Sequence, residues 1–202
     1  MRKLLVFLSA AMIGSGALSA GPCDGWCDGW PSLSSGCDRA PWPSSFNIDV
    51  GGGYRQDKFK WSIAGPDNYP NVLSEIEWKK LRIAQVGGTA KYVSCRNYAV
   101  KIDASYGRIY HGEMIDSDYL NSHKEDLFSL SENKAGKGHV YDLSGAVGYR
   151  VTSTCGRFTA TPLIGYSQYG QYLHAYDGYQ VFPPFGHFSG LDSTYTTRWF
   201  GP

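Results

Sequence analysis

Residues 139–151 read HVYDLSGAVGYRV, a run that alternates with a period of two. Tyr141, Leu143, Gly145, Val147, Tyr149 and Val151 share one face; Asp142, Ser144, Ala146, Gly148 and Arg150 share the other. A two-residue period belongs to a β-strand, whose successive side chains point to opposite sides of the sheet. The apolar face carries tyrosines near its ends, and the opposite face is small, polar or charged. That division suits a strand with lipid on one side and a wet lumen on the other. Working outward, Phe46, Ile48, Val50, Gly52 and Tyr54 repeat the pattern, as do Tyr98, Val100, Ile102, Ala104 and Tyr106. Phe158, Ala160, Pro162, Ile164 and Tyr166 do so again. The expected fold is all-β, an antiparallel transmembrane β-barrel. Alternation alone also permits a soluble secreted barrel with its apolar face inward.

The N-terminus supports export. Arg2 and Lys3 precede an apolar run from Leu4 to Ile13, and small residues follow to Ala20. A positive start, a short apolar stretch and a small-residue exit describe a signal peptide over 1–20, with cleavage after Ser19 or Ala20. The run is too short to span a bilayer as a helix, and no other long apolar run follows. The 25 glycines and 15 tyrosines among 202 residues fit strands, turns and interfacial aromatics. A mean hydropathy of −0.33 is compatible, because a barrel needs only every second residue to be apolar. A net charge of +1 argues against nucleic acid as a partner held by bulk charge. Lipid or lipopolysaccharide of the outer membrane is the expected partner.

The chain divides into the leader (1–20), a Cys/Gly/Trp-rich lead-in (21–43) and barrel sequence (44–202). The lead-in repeats Cys23-Asp24-Gly25-Trp26 as Cys27-Asp28-Gly29-Trp30. Cys23, Cys27, Cys37, Cys95 and Cys155 are the disulfide candidates, since an exported chain meets oxidising conditions. Their odd number leaves at least one free or bonded to another chain, so the expected disulfides are local or intermolecular, the latter joining envelope proteins or a second copy. No ligand set with metal-site spacing accompanies them, and no metal or cofactor is expected.

Within 44–202 the alternation slips twice. Phe59, Trp61 and Ile63 are out of phase with Phe46 to Tyr54, implying a bulge near Gln56-Asp57 or a turn over Arg55 to Lys58. Ile76 and Trp78 are out of phase with Leu81 and Ile83, implying a bulge near Lys79-Lys80. Gly65 to Tyr69 is a turn by composition, and Cys155-Gly156 turns the chain back. Lys101 and Asp103 on one face indicate a wet lumen. The polar stretch Gly112 to Gly138 reads as a long functional or extracellular loop, and 180–192 as another loop. Five strands and the start of a sixth emerge, fewer than the eight of the smallest bacterial barrels. The sequence therefore reads as the N-terminal portion of a barrel.

Asp116 and Asp118 are the candidate catalytic residues. At i and i+2 of an extended segment they point the same way, and repulsion raises the proton affinity of one of them. Such a pair is a start for general-base activation of water; an acidic loop meeting water or calcium is the plainer alternative. No Gly-x-Ser-x-Gly elbow and no phosphate-binding glycine loop occurs. Tyr166, Tyr169, Tyr172, Tyr176 and Tyr179 read as an aromatic girdle and its extracellular extension rather than a stacking platform for sugars or bases.

The order of a long first strand, Leu73-Ser74-Glu75-Ile76-Glu77-Trp78-Lys79, a Gly-containing strand and an Asp-x-Asp motif resembles the first half of the omptin outer-membrane proteases. The chain also resembles the Protochlamydia outer membrane protein family, barrels of omptin-like architecture with extra cysteines, which suits the lead-in better. The omptin resemblance implies that Asp116 and Asp118 sit at the barrel mouth and face an Asp-x-His pair. No Asp-x-His occurs in 1–202; His111, His123, His139, His174 and His187 all lie in other contexts. The leading expectation is an outer-membrane barrel with a structural or pore-forming role, to which the cysteines offer disulfide cross-linking. The alternative is an omptin-like endopeptidase whose Asp-x-His pair lies beyond Pro202.

Overall fold

The computed structural model describes residues 44–152 and 158–202. The leader and the lead-in, with Cys23, Cys27 and Cys37, lie outside that set, and so does the expected turn at Cys155-Gly156. The strands in chain order are β1 (Ser45–Ile63), β2 (Ser74–Val93), β3 (Tyr98–Asn121), β4 (Glu125–Tyr149), β5 (Val151–Thr152), β6 (Thr159–Ala160), β7 (Leu163–Phe182) and β8 (Gly186–Gly201). Six form one antiparallel sheet, ordered β1-β2-β3-β4-β7-β8, and β5 pairs with β6. The sheet curls into an incomplete barrel whose edges are β1 and β8.

The concave side is identified by contacts between strands that are not neighbours in the sheet. Arg55 on β1 donates to Tyr169 Oη on β7 at 2.9 Å and meets Asp142 on β4 at 3.4 Å. Phe59 on β1 packs edge-on against Trp199 on β8, with centroids 5.6 Å apart, and Trp78 on β2 against Tyr195 on β8 at 5.3 Å. Only a curled sheet brings these side chains together.

The strands greatly exceed a membrane crossing. β3 has 24 residues and β4 has 25, whereas a tilted strand crosses with about 9–11. Their two halves have opposite polarity. In the half nearer the short Ser94–Asn97 turn, the convex side carries Val50, Val86, Val100, Ile102, Leu143 and Val147, all exposed. Tyr98 and Tyr149 pair edge-to-face at one border of this belt. At the other border Tyr106, His139 and Tyr172 stack in a row, and Tyr54 meets Tyr110. The concave side here is polar. Asp103 accepts from Thr89 at 2.6 Å and Ser144 at 2.9 Å and pairs with Lys101 at 3.0 Å. Asp142 accepts from Ser105 at 3.0 Å, and Asp57 pairs with Arg55 at 3.1 Å.

Beyond the second aromatic row, in what we call the cuff, the polarity reverses. Ile76, Trp78, Leu81, Ile83, Ile109, Met114, Ala135, Leu173 and Ala175 pack on the concave side as the buried core, with Phe59, Tyr169 and Tyr195 against them. The convex side carries charge: Glu75 pairs with Lys60 at 2.8 Å and Lys124 at 2.7 Å, Glu77 with Lys58 and Lys79, and Lys80 with Glu113 at 3.1 Å. The lumen is polar over the belt, as the charges of 101–103 suggested, and apolar in the cuff.

This reversal explains the first sequence slip differently from the expectation. Burial alternates through β1 from Gly53 to Lys60 without a break, so neither a turn nor a bulge interrupts that strand. Phe59 simply faces the core. The displacement lies on β2: between Asp57↔Leu81 and Phe59↔Trp78, β1 advances two residues and β2 three. Lys80, with φ 50°, is the extra residue, where the second bulge was expected.

The expected loop from Gly112 to Gly138 is instead a hairpin wall. β3 and β4 stay paired from Glu113↔Lys134 to Asn121↔Glu125, leaving only Ser122–Lys124 as the turn. Likewise 180–192 is mostly strand, with Gln180 still paired to Gly186. Gly65 to Tyr69 is a turn as expected, built around the 3-10 segment Pro66–Asn68.

Candidate functional site

Asp116 and Asp118 stand on the concave side of the β3 extension. The register sets Asp116 opposite Ile76 and Ser131, and Asp118 opposite Ser74 and Ser129. They are wall residues of the hairpin rather than loop residues, and strand pleating points both inward. Ser74 Oγ donates to Asp116 Oδ1 at 3.4 Å. Burial pushes the proton affinity of Asp116 up, and the charge of Asp118 adds to it; the Ser74 hydroxyl and the Ser117 amide pull the other way. Across the lumen, burial raises the Tyr195 phenol and the Asp116 charge raises it further. The pair thus meets the apolar core at its rim: Met114 and Ile76 are buried beside it, and Tyr195 contacts Trp78. A carboxyl that holds a proton more tightly than usual is suited to act as a base or acid, although no imidazole joins the pair among the described residues.

The histidine–aspartate contacts that do exist lie on the other side of the wall. His174 Nε2 is 2.6 Å from Asp192 Oδ1, between β7 and β8. His174 alternates with the buried Leu173 and Ala175, so it faces outward. His187 contacts Asp177, which also pairs with Lys134. Lys134 first and His187 second hold Asp177 down at about 2. Neither pair can face Asp116 and Asp118. Their closeness arises from the β7–β8 register and from the bulge at Asp177, φ 55°, and no linear motif signals it.

Of the tyrosine series, Tyr172 belongs to the convex row with His139, and Tyr166 stacks on Phe200 within the belt. Tyr176 lies under Lys137 Nζ at 4.2 Å, and Tyr179 is exposed on the extension. Tyr169 departs from the girdle: it faces inward, donates to Asp57 at 3.0 Å and stacks on Trp199. Its odd number beside Gln171 and Leu173 was the available signal. Cys95 sits in the Ser94–Asn97 turn, where the Asn97 amide donates to the Ser94 carbonyl at 2.9 Å. No metal-binding group of His, Cys, Asp or Glu occurs among the described residues.

An antiparallel sheet with an uncharged convex belt, aromatic borders and a polar concave side is the wall of an outer-membrane type β-barrel. The chain matches the family model of the Protochlamydia outer membrane protein over residues 49–202 and belongs to that family. No curated protein and no solved structure matches it.

Proposed function

We propose that the chain is an exported structural protein of the outer membrane rather than a pore. Residues 1–20 direct export, and the belt sits in lipid with the cuff standing in water. The observation that carries the structural reading is the cuff core. Trp78, Leu81, Ile83, Ile109 and Leu173 are fully buried on the concave side, where a solute channel needs polar, accessible walls. The cysteines add covalent linkage to envelope proteins or to a second copy; Cys95 is already a half-cystine within the chain, which leaves that linkage to the other cysteines. Two measurements test the reading. Liposomes bearing the refolded protein should show no swelling in isotonic sugar, and extraction without reductant should give species larger than the monomer. Sugar-driven swelling, or a monomer with and without reductant, overturns it.

A second reading is an omptin-like endopeptidase, favoured by the raised proton affinity of Asp116 beside Asp118 on the inner wall. Cleavage of a fluorogenic peptide by the native protein, lost in Asp116→Asn, would establish it; no cleavage by the unaltered protein ends it.

A further inference from the structure

The convex face of β1, β2 and β3 carries a feature that the structural role leaves unused. Within the belt a shallow groove of about 300 Å³ is lined by Val50, Val86, Gly88, Ala104 and Tyr106. Its depth comes from small residues. Gly88 pairs with Val50 on one side and Ala104 on the other, so the floor there has almost no side chain. A Cβ added at Gly88 would lie 2.8 Å from the Asp49 carbonyl oxygen, so the close strand approach requires glycine. Val50, Val86 and Tyr106 stand as walls, all well exposed.

Two arginines stand immediately above the groove. Arg108 follows Tyr106 by two residues on the same face and pairs in register with Ala84. Arg82, two residues from Ala84 on its strand, is the diagonal neighbour of Arg108 and is opposite His111. Arg82, Arg108 and His111 are all exposed. The nearby carboxylates are engaged elsewhere: Glu113 with Lys80, Glu77 with Lys58 and Lys79, and Glu75 with Lys60 and Lys124. Neither arginine has an acidic partner among the described residues. Two guanidinium groups sharing one rim repel each other, and a bridging anion relieves that repulsion. Guanidinium groups match phosphate oxygens bidentately. Tyr106 and Tyr110 mark this height as the membrane border, where lipid phosphates lie.

We propose that this face is a binding site for one phosphorylated lipid. An acyl chain lies in the Val50–Val86–Tyr106 groove and the phosphate is held by Arg82 and Arg108, with His111 at the rim. The assignment rests on the outer-membrane reading and adds a specific lipid to it. Its pieces reinforce one another: the groove alone would accept any acyl chain, and the arginines alone any anion. Together they select a molecule carrying both.

The test uses the full chain refolded into phosphatidylcholine vesicles, with phosphatidic acid as the probe lipid. Insertion into phosphatidylcholine alone examines the belt; failure there defeats the outer-membrane reading before the lipid site is addressed. Given insertion, retention of phosphatidic acid through detergent extraction is quantified by native mass spectrometry. Arg82→Gln/Arg108→Gln should weaken retention about tenfold or more, since each cation near the headgroup plane contributes roughly a fivefold factor. Ala104→Leu should weaken it with both arginines intact, by filling the groove. Equal retention by the unaltered protein and by both variants overturns the site. Displacement by millimolar inorganic phosphate also overturns it, because the site would then hold a free anion and not a lipid.

Discussion

The belt and the cuff are built from the same strands yet are inside out relative to each other. β2 shows the change within two residues: Ile83 is fully buried on the concave side, and Ala84 begins the convex apolar row that continues through Val86. In the belt the outward solvent is lipid, so burial of apolar surface favours the convex side and polar groups collect in the lumen. In the cuff the outward solvent is water, so the same force drives the apolar face inward and leaves the charges outside. One sheet therefore reports two environments, and the crossover falls at the aromatic row of Tyr106, His139 and Tyr172.

The sharpest way to break this comparison is to remove the centre of the cuff core. Trp78→Ala should cost about 3–5 kcal/mol, the range for truncating a buried aromatic. Urea unfolding of the vesicle-inserted protein measures it. A loss below about 1 kcal/mol would mean that the cuff is not a packed core. The next largest effect distinguishes the two convex faces. Ile102→Arg places a charge in mid-belt and should cost about 2–4 kcal/mol, whereas Tyr179→Arg, exposed on the convex side of the cuff, should stay within about 0.5 kcal/mol. Equal costs would erase the environmental boundary. Within the belt lumen, Arg55→Ala removes the partner of Asp57, Asp142 and Tyr169 at once. About 1–3 kcal/mol is expected, because the remaining polar groups lose their donor.

Much of the belt was legible in the sequence, and the cuff was not, for a physical reason. Alternation reveals that a strand has two faces; it does not say which one meets solvent. Over 139–151 the terminal tyrosines settled that question, and the strand was read correctly. At Phe59 the same logic failed, because a change of environment looks like a change of phase: an uninterrupted strand was read as a bulge or turn. The Lys79-Lys80 slip was a true bulge, and Lys80 has the positive φ to show it. Gly112 to Gly138 was read as a loop because Glu, Asp, Ser, Lys and Gly have low intrinsic preference for strands. Register with β2 and β7, invisible in the sequence, holds that segment extended. That Asp116 and Asp118 point the same way followed from their spacing. Their position at the rim of an apolar core required the fold.

The smallest expected effects concern pH, and here the two sides of the cuff wall should respond with opposite sign. On the convex side, partial burial opposes ionisation of Glu75, but Lys124 and Lys60 outweigh it and hold the native carboxyl below its ordinary value of 4.5. Its contribution to stability is present above that value and is lost as pH falls through the lower native value. On the concave side, burial and the Asp118 charge raise Asp116 above its ordinary 3.8. The native state then binds that proton more tightly than the unfolded chain does. Asp116 therefore stabilises the fold at low pH, and that contribution is lost as pH rises from 3.8 through the raised native value. Unfolding midpoints measured from pH 3 to pH 7 should separate the two. Glu75→Gln should flatten the acid-side loss of stability, by a small amount because both lysine partners reach solvent, where ion pairs contribute only ~0–1 kcal/mol. Asp116→Asn should raise stability at neutral pH and remove the opposing slope. If both variants shift the profile in the same direction, Asp116 does not sit at the edge of a desolvated core, and the contrast between the inner and outer faces of the cuff loses its electrostatic half.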